Sequence, residues 1–171
     1  DRAVGGIFDN AGQVCNAGSR LLVQRDIHDE FVKRFMARAA AAYRPGDPLD
    51  PATTLGPLAS HAHQRSVLAR IVRGQSEGAQ LVVGGGSQGP GASGAYVEPA
   101  LFTGATSQMS ITREEIFGPV AVVTAFESEE QAIALANDSD YGLAASVWTS
   151  DLKKAHRFVN ALEAGVVWVN C

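Results

Sequence analysis

The sequence has few of the residues that build disulfide frameworks and metal centres. Its 171 residues include only two cysteines, Cys15 and Cys171. Two are too few for a disulfide framework or a four-cysteine zinc site. We therefore predict no bound metal and a reducing compartment, such as the cytoplasm.

The chain also lacks long apolar runs and a strong excess of charge. No apolar run approaches the roughly 20 residues that span a bilayer, so we predict no contact with a membrane. The net charge is −4 and the basic residues are scattered, which argues against binding to nucleic acid. Hydrophobic residues make up 46% of the chain and charged residues 19%, as in an ordinary globular domain. We expect one domain, residues 1–171, cut from a longer protein, because the chain begins inside a helical pattern and ends directly after an apolar strand.

Segments typical of strands and of helices alternate along the chain. Strands separated by helices indicate right-handed crossovers and parallel pairing. We therefore predict an α/β fold, a three-layer domain with a largely parallel sheet and one or two antiparallel edge strands. The predicted strands are residues 20–24, 81–83, 96–102, 120–126, 143–148 and 166–169.

Capping residues and apolar spacing predict the helices in more detail. Asp26, Ser60 and Ser128 are expected to cap the starts of three helices. Apolar side chains at helical spacing are expected to face the core. In the second helix these are Val67, Leu68, Ile71 and Val72, and in the last helix Leu152, Ala155, Val159 and Leu162.

Two patterns resemble ligand sites but do not meet the physical requirements of one. Residues 84–89 and 89–94 both fit the dinucleotide pattern GxGxxG, with Gly91 at the centre of the second. No helix is predicted after these glycines to receive a pyrophosphate, so we interpret the segment as a surface connection. His61 and His63 are two residues apart, so on a helix they do not share a face, and we interpret both as solvated side chains.

Cys15 lies among small residues, between an apolar run and a strand-like run. Such neighbours leave room for another molecule to reach the sulfur; they are Gly12, Asn16, Ala17, Gly18 and Ser19. A reactive cysteine needs this access together with an environment that favours the thiolate. A free cysteine is also often a small hydrophobe in the core, so the turn alone leaves both interpretations open.

A second motif, residues 113–120, joins a pair of glutamates to an aliphatic and an aromatic residue and a Gly-Pro break. One interpretation is a helical turn that ends at Gly118, with Phe117 in the core. In the other, the Gly-Pro turn presents Glu115 as an acceptor for ribose hydroxyls and Phe117 as an apolar contact. The motif alone does not decide between them.

Taken together, the two motifs resemble the aldehyde dehydrogenase superfamily, over essentially the whole chain and in the same order. The stretch from Phe8 to Arg20 looks like the family's active-site cysteine signature, and the stretch from Glu115 to Val120 like its cofactor-contacting segment. Further similar stretches are residues 54–58, 137–144 and 165–170.

The resemblance implies a mechanism and a role for several residues. Cys15 would attack an aldehyde carbonyl, and its backbone N–H would help to bind the oxyanion. Loss of hydride to NAD or NADP would leave a thioester on Cys15, which water hydrolyses to the acid. Glu115 would bind the nicotinamide ribose, with Phe117 packed nearby. Val14 and Asn16 would line the aldehyde pocket.

The resemblance also implies parts that this chain lacks. The Rossmann-like cofactor domain, the glutamate that activates water and the asparagine of the oxyanion hole would lie upstream, and an oligomerisation tail downstream. We therefore expect the isolated chain to be inactive, and the longer protein to be a dimer or tetramer acting on a small aldehyde. A CoA-acylating aldehyde dehydrogenase, a thiol esterase and a non-catalytic module of the same fold remain alternatives.

Overall fold

The computed structural model describes residues 1–87, 89 and 94–171. Helices and strands alternate along most of this length. The helices are α1 (Arg2–Phe8), α2 (His28–Ala42), α3 (His61–Ser76), α4 (Ser110–Arg113), α5 (Glu129–Asn137) and α6 (Leu152–Ala161). The strands are β1 (Arg20–Gln24), β2 (Gln80–Val83), β3 (Ala100–Thr103), β4 (Val120–Phe126), β5 (Ala144–Val147) and β6 (Val166–Val169).

The strands form two sheets. The larger has the order β1-β4-β3-β2, with β4 parallel to both of its neighbours and β2 antiparallel at one edge. The smaller is the parallel pair β5-β6, whose strands are connected through α6. The largely parallel sheet and the antiparallel edge strand are thus confirmed. Within the described part of the chain, however, the strands are divided between two sheets.

The larger sheet is covered by helices on both faces. Along β4, Ala121 and Val123 pack into a core with α1 and α2, whereas Val120 and Val122 pack into a core with α3. Alternate residues of a strand point to opposite faces, so one apolar strand serves two cores. The predicted three-layer α/β fold is confirmed.

Two of the three predicted helix caps are confirmed. The Ser60 hydroxyl accepts a hydrogen bond from the N–H of His63, and the Ser128 hydroxyl accepts one from Gln131. The prediction for Asp26 is wrong. It lies in a 3₁₀ turn, Arg25–Ile27, whose backbone leads directly into α2 and takes the place of a side-chain cap.

The predicted inward faces are wrong in part. In α3, Val67 and Ile71 are buried, but Val72 is 63% exposed because a helix rotates about 100° per residue. In α6 only Ala155 is buried, and Leu152 and Val159 are exposed. Among the described residues, the apolar stripe predicted for α6 is therefore fully buried only at Ala155.

The glycine-rich segment leads to a strand and not to a helix. Gly84 and Gly85 have positive φ, and a β-carbon on Gly84 would lie 1.8 Å from the carbonyl oxygen of Pro99. Residues 95–99 are irregular and run into β3. The centre of the second GxGxxG pattern, Gly91, lies outside the described residues. Among the described helices none has the length and apolar character needed to cross a membrane.

Candidate active site

The turn before Cys15 has an unusual left-handed backbone. Asn10, Ala11 and Gly12 have φ values of 51°, 54° and 71°. Each non-glycine residue in this conformation costs about 1–2 kcal/mol. Reciprocal hydrogen bonds offset part of this cost, because the Asn10 side chain donates to the Gln13 carbonyl and the Gln13 side chain donates to the Asn10 carbonyl. The chain therefore reverses direction just before Cys15, in a turn that these two hydrogen bonds stabilise.

Cys15 and Asn16 are the central residues of the next turn, which closes with a 3.1 Å hydrogen bond from the Ala17 N–H to the Val14 carbonyl. Both are exposed, and Val14 is half-buried. The accessibility predicted for Cys15 is therefore confirmed. The Cys15 backbone N–H has no hydrogen-bond acceptor among the described residues, and no described side chain hydrogen-bonds its sulfur.

The two successive turns at residues 10–17 are called the cysteine turn. Two contacts join it to the rest of the site. The Gln13 Oε1 accepts a 3.0 Å hydrogen bond from the N–H of Ala59, next to the cap of α3. A β-carbon built on Gly12 would lie 2.1 Å from the carbonyl oxygen of Gly118, so these two backbones are in direct contact. The structure thus brings the two motifs together, although about 100 residues of chain separate them.

The segment after α4 presents an aromatic side chain to solvent. α4 ends at Arg113, Ile116 is buried, and Phe117 is 39% exposed with φ +54°. The interpretation with Phe117 in the core is therefore wrong, because Ile116 fills that place. The exposed, left-handed Phe117 agrees with the alternative in which the turn presents this ring.

His63 belongs to the candidate site, in contrast to the solvated side chain predicted for it. Its Nε2 lies 2.7 Å from the Phe117 carbonyl oxygen, and because a carbonyl only accepts, Nε2 carries the proton. His63 is therefore not simply solvated but holds the strained residue of the second motif. No pattern along the sequence signals this contact, because the two residues are 54 positions apart. In the described residues, no group of histidine, cysteine and acidic side chains could hold a metal ion.

The adjacent glutamates differ in their contacts. The Glu114 carboxylate forms ion pairs with Arg70 at 3.3 Å and Arg73 at 2.7 Å. The Glu115 side chain is exposed and forms no ion pair with any residue that the structure describes. Its backbone N–H donates to the Tyr141 hydroxyl at 3.3 Å. Glu114 is thus engaged within the fold, whereas the Glu115 carboxylate can accept hydrogen bonds from another molecule.

Comparison with known proteins gives one consistent result. The model of the aldehyde dehydrogenase family matches residues 1–171. Betaine aldehyde dehydrogenases from Rhizobium leguminosarum bv. trifolii and Cereibacter sphaeroides are 48% and 49% identical to the chain, over 99% and 96% of its length. The chain covers 36% and 34% of these two relatives, so it spans about a third of their length.

Solved structures agree. The betaine aldehyde dehydrogenase of Staphylococcus aureus in complex with NAD+ matches with a TM-score of 0.94 and 41% identity, over 99% of this chain and 34% of that chain. HpcC from Thermus thermophilus matches with a TM-score of 0.94 and 46% identity, over 98% of this chain and 33% of that chain.

Proposed function

The chain belongs to the aldehyde dehydrogenase family, and we propose that it is part of the thiol-bearing catalytic domain of a longer protein that oxidises an aldehyde to a carboxylic acid with NAD or NADP. One observation carries the proposal. The exposed turn of Cys15 is held in backbone contact with the segment that presents Glu115 and Phe117.

In the first step, Cys15 reacts as a thiolate. Its sulfur attacks the carbonyl carbon of the aldehyde, a carbon–sulfur bond forms, and the π electron pair moves to the oxygen. The product is a thiohemiacetal anion bound to Cys15. The backbone N–H of Cys15 has no acceptor among the described residues, so it is free to donate to this oxyanion. Thiolates are strong nucleophiles, which suits cysteine to covalent capture.

In the second step, the captured carbon loses a hydride and the carbonyl forms again as a thioester on Cys15. The nicotinamide cofactor supplies the acceptor for this hydride. Water then gives one proton to a base and attacks the thioester, the carbon–sulfur bond breaks, and the carboxylic acid leaves while Cys15 returns to the thiolate form in which it reacted. The group that deprotonates this water is expected outside this chain.

The residues present fit a nicotinamide cofactor. The Glu115 carboxylate is exposed and unpaired in the described structure, as an acceptor for two ribose hydroxyls must be. The exposed ring of Phe117 offers an apolar surface two residues further along. Val14 and Asn16 flank Cys15 and are proposed to line the aldehyde pocket.

The identity of the relatives suggests the first aldehyde to test. Two relatives at 48% and 49% identity are betaine aldehyde dehydrogenases, and the solved Staphylococcus aureus relative binds NAD+. We therefore propose betaine aldehyde as the first candidate substrate and NAD as the first candidate cofactor. A panel of other small aldehydes belongs beside it.

The test is product formation by the whole protein, with NAD or NADP and with or without CoA. We expect NAD(P)H and the free acid to form without CoA. An acyl-CoA that forms only when CoA is supplied would assign the chain to the acylating alternative. Cleavage of an added thioester without NAD(P)H formation would assign it to the thiol esterases. Absence of all three products would leave a non-catalytic module.

We also propose that the whole protein is a homo-oligomer, a dimer or a tetramer. Large apolar side chains are exposed on β6, on α6 and directly after β5; they are Trp168, Leu152 and Trp148. Exposed apolar patches of this kind mark interaction surfaces. Light scattering of the whole protein tests this proposal, and a monomer at high concentration would contradict it.

A further inference from the structure

The end of α5 and the turn after it, residues 135–141, contact residues of both motifs of the candidate site. We call this segment the α5 turn. The Arg20 guanidinium donates hydrogen bonds to the carbonyl oxygens of Leu135 and Ala136. Arg20 is the first residue of β1 and follows Cys15 by five positions. The last carbonyls of a helix lack helical partners and carry partial negative charge, so a guanidinium is well suited to bind them.

The same turn binds the residue at the end of α4. The Arg113 Nη1 lies 3.1 Å from Oδ1 of Asp138, and its Nη2 lies 3.9 Å from Oδ1 of Asp140. Hydrogen bonds from Ser107 and Arg113 lower the pKa of Asp138 below its ordinary value, as expected for a carboxylate that accepts hydrogen bonds within the fold. Arg113 precedes Glu115 by two positions, so this ion pair fixes the start of the second motif.

Tyr141 contacts the second motif directly. Its hydroxyl oxygen accepts a 3.3 Å hydrogen bond from the backbone N–H of Glu115. Glu114 has an extended backbone, φ −91° and ψ 141°, so the Glu115 amide has left the helix and has no helical acceptor. Tyr141 supplies the acceptor that this amide lacks.

A third side of the α5 turn is also anchored. The Asn137 side chain donates to the Ala161 carbonyl at 2.9 Å and accepts from the N–H of Glu163 at 3.0 Å. These contacts tie the turn to the end of α6. These contacts with the end of α6 therefore hold the α5 turn in place, so the turn can fix the position of the residues that it contacts.

We propose that the α5 turn sets the position of Glu115 relative to the strand that follows Cys15, with Tyr141 and Asp138 as positioning residues. This inference rests on the proposed cofactor role of Glu115. Neither side chain is proposed to touch the reacting atoms. Loss of either contact is expected to displace residues 114–117, here called the Glu115 segment, and so to lower the affinity for the nicotinamide cofactor. The cysteine turn is expected to be unaffected.

The test compares Tyr141→Phe with Tyr96→Phe in the whole protein. Tyr141→Phe keeps the ring and removes only the acceptor of the Glu115 N–H. Tyr96→Phe removes a hydroxyl that bonds the Gly46 carbonyl at 2.7 Å, so it is the control for the loss of a tyrosine hydroxyl elsewhere. The measurements are KM for the cofactor, kcat, amide hydrogen exchange of residues 114–117, and alkylation of Cys15 without cofactor.

For Tyr141→Phe we expect the cofactor KM to rise about two- to tenfold, as for the loss of one hydrogen bond. Exchange at Glu115 should become faster, while the alkylation rate of Cys15 and kcat change little. Asp138→Asn should raise KM in the same way, whereas Asp140→Asn should not, because Asp140 is 3.9 Å from Arg113 and its side chain is 87% exposed.

Unchanged exchange and unchanged cofactor KM in Tyr141→Phe would overturn the proposal. A parallel loss of Cys15 alkylation would also overturn it, because the effect would then be general. Glu115→Gln separates this inference from the proposed function. If that variant leaves the cofactor KM unchanged while Tyr141→Phe speeds exchange at Glu115, the cofactor role of Glu115 fails and the positioning of its backbone stands.

Discussion

The backbone of Gly12 lies directly against the carbonyl group of Gly118, so closely that a β-carbon on Gly12 would be 2.1 Å from that oxygen. This contact joins the cysteine turn to the Glu115 segment. Gly12 also has φ +71°, a conformation that side chains disfavour. Both its conformation and its close contact therefore require glycine.

Gly12→Ala is expected to destabilise the whole protein strongly. The left-handed backbone and the overlap with Gly118 together should cost at least about 2 kcal/mol of unfolding free energy. The urea midpoint measures this loss. Gly18→Ala is the matched control, because nothing lies within 4 Å of a β-carbon on Gly18. Equal midpoints for the two variants would contradict the close contact.

The two adjacent glutamates are expected to respond in opposite ways to loss of charge. Glu115→Gln should raise the cofactor KM by about tenfold, because hydrogen bonds to a charged group are stronger than neutral ones, and should leave the melting temperature unchanged. Glu114→Gln should lower stability by less than about 1 kcal/mol, since its partly exposed ion pairs are screened by solvent, and should leave KM unchanged. Similar kinetics for both variants would contradict these roles.

His63→Ala is expected to raise the cofactor KM by a few fold, since about 1 kcal/mol of hydrogen bonding to the Phe117 carbonyl is lost. The control is His61→Ala, because among the described residues the His61 ring hydrogen-bonds only to the side chain of Gln64, at 3.2 Å. Steady-state kinetics with varied cofactor compares the two. An equal KM in both variants would show that Phe117 does not depend on His63.

Acid should remove a contribution of Glu77 to stability. Hydrogen bonds from the side chain and the N–H of Ser110 lower the pKa of Glu77 below its ordinary value of 4.5. A lowered folded-state pKa stabilises the fold above the ordinary value, and this effect is lost as the pH falls through the lowered pKa. Glu77→Gln should therefore lower the melting temperature more at pH 7 than at pH 3. A difference that stays constant with pH would contradict this assignment.

Local features of the fold could be predicted from the sequence. A serine before a helical pattern identified the caps at Ser60 and Ser128, because an N-cap bond joins residues three positions apart. Small neighbours correctly predicted an accessible Cys15. The exposure of Leu152 and Val159 could not be predicted, because an amphipathic pattern indicates an apolar stripe and not whether another segment covers it.

The contacts that assemble the site depend on the folded chain. The hydrogen bond between His63 and Phe117 and the contact of Gly12 with Gly118 join residues far apart in sequence. Asp26 is not a helix cap, because the backbone N–H of His28, at the start of α2, is already bonded to the Arg25 carbonyl oxygen of the 3₁₀ turn. The motifs therefore indicated the two segments of the candidate site. Which side chains hold these segments in place depends on the packing of the folded chain.

Cys15 is proposed to form a covalent intermediate with the aldehyde carbon. The most direct measurement is mass spectrometry of peptides from the whole protein, quenched in acid during turnover with an aldehyde and NAD(P). We predict that the mass of the acyl group appears on the peptide with Cys15, that the Cys171 peptide stays unmodified, and that Cys15→Ala abolishes both the adduct and NAD(P)H formation. Continued NAD(P)H formation by Cys15→Ala, or an acyl group on a different residue, would contradict the account.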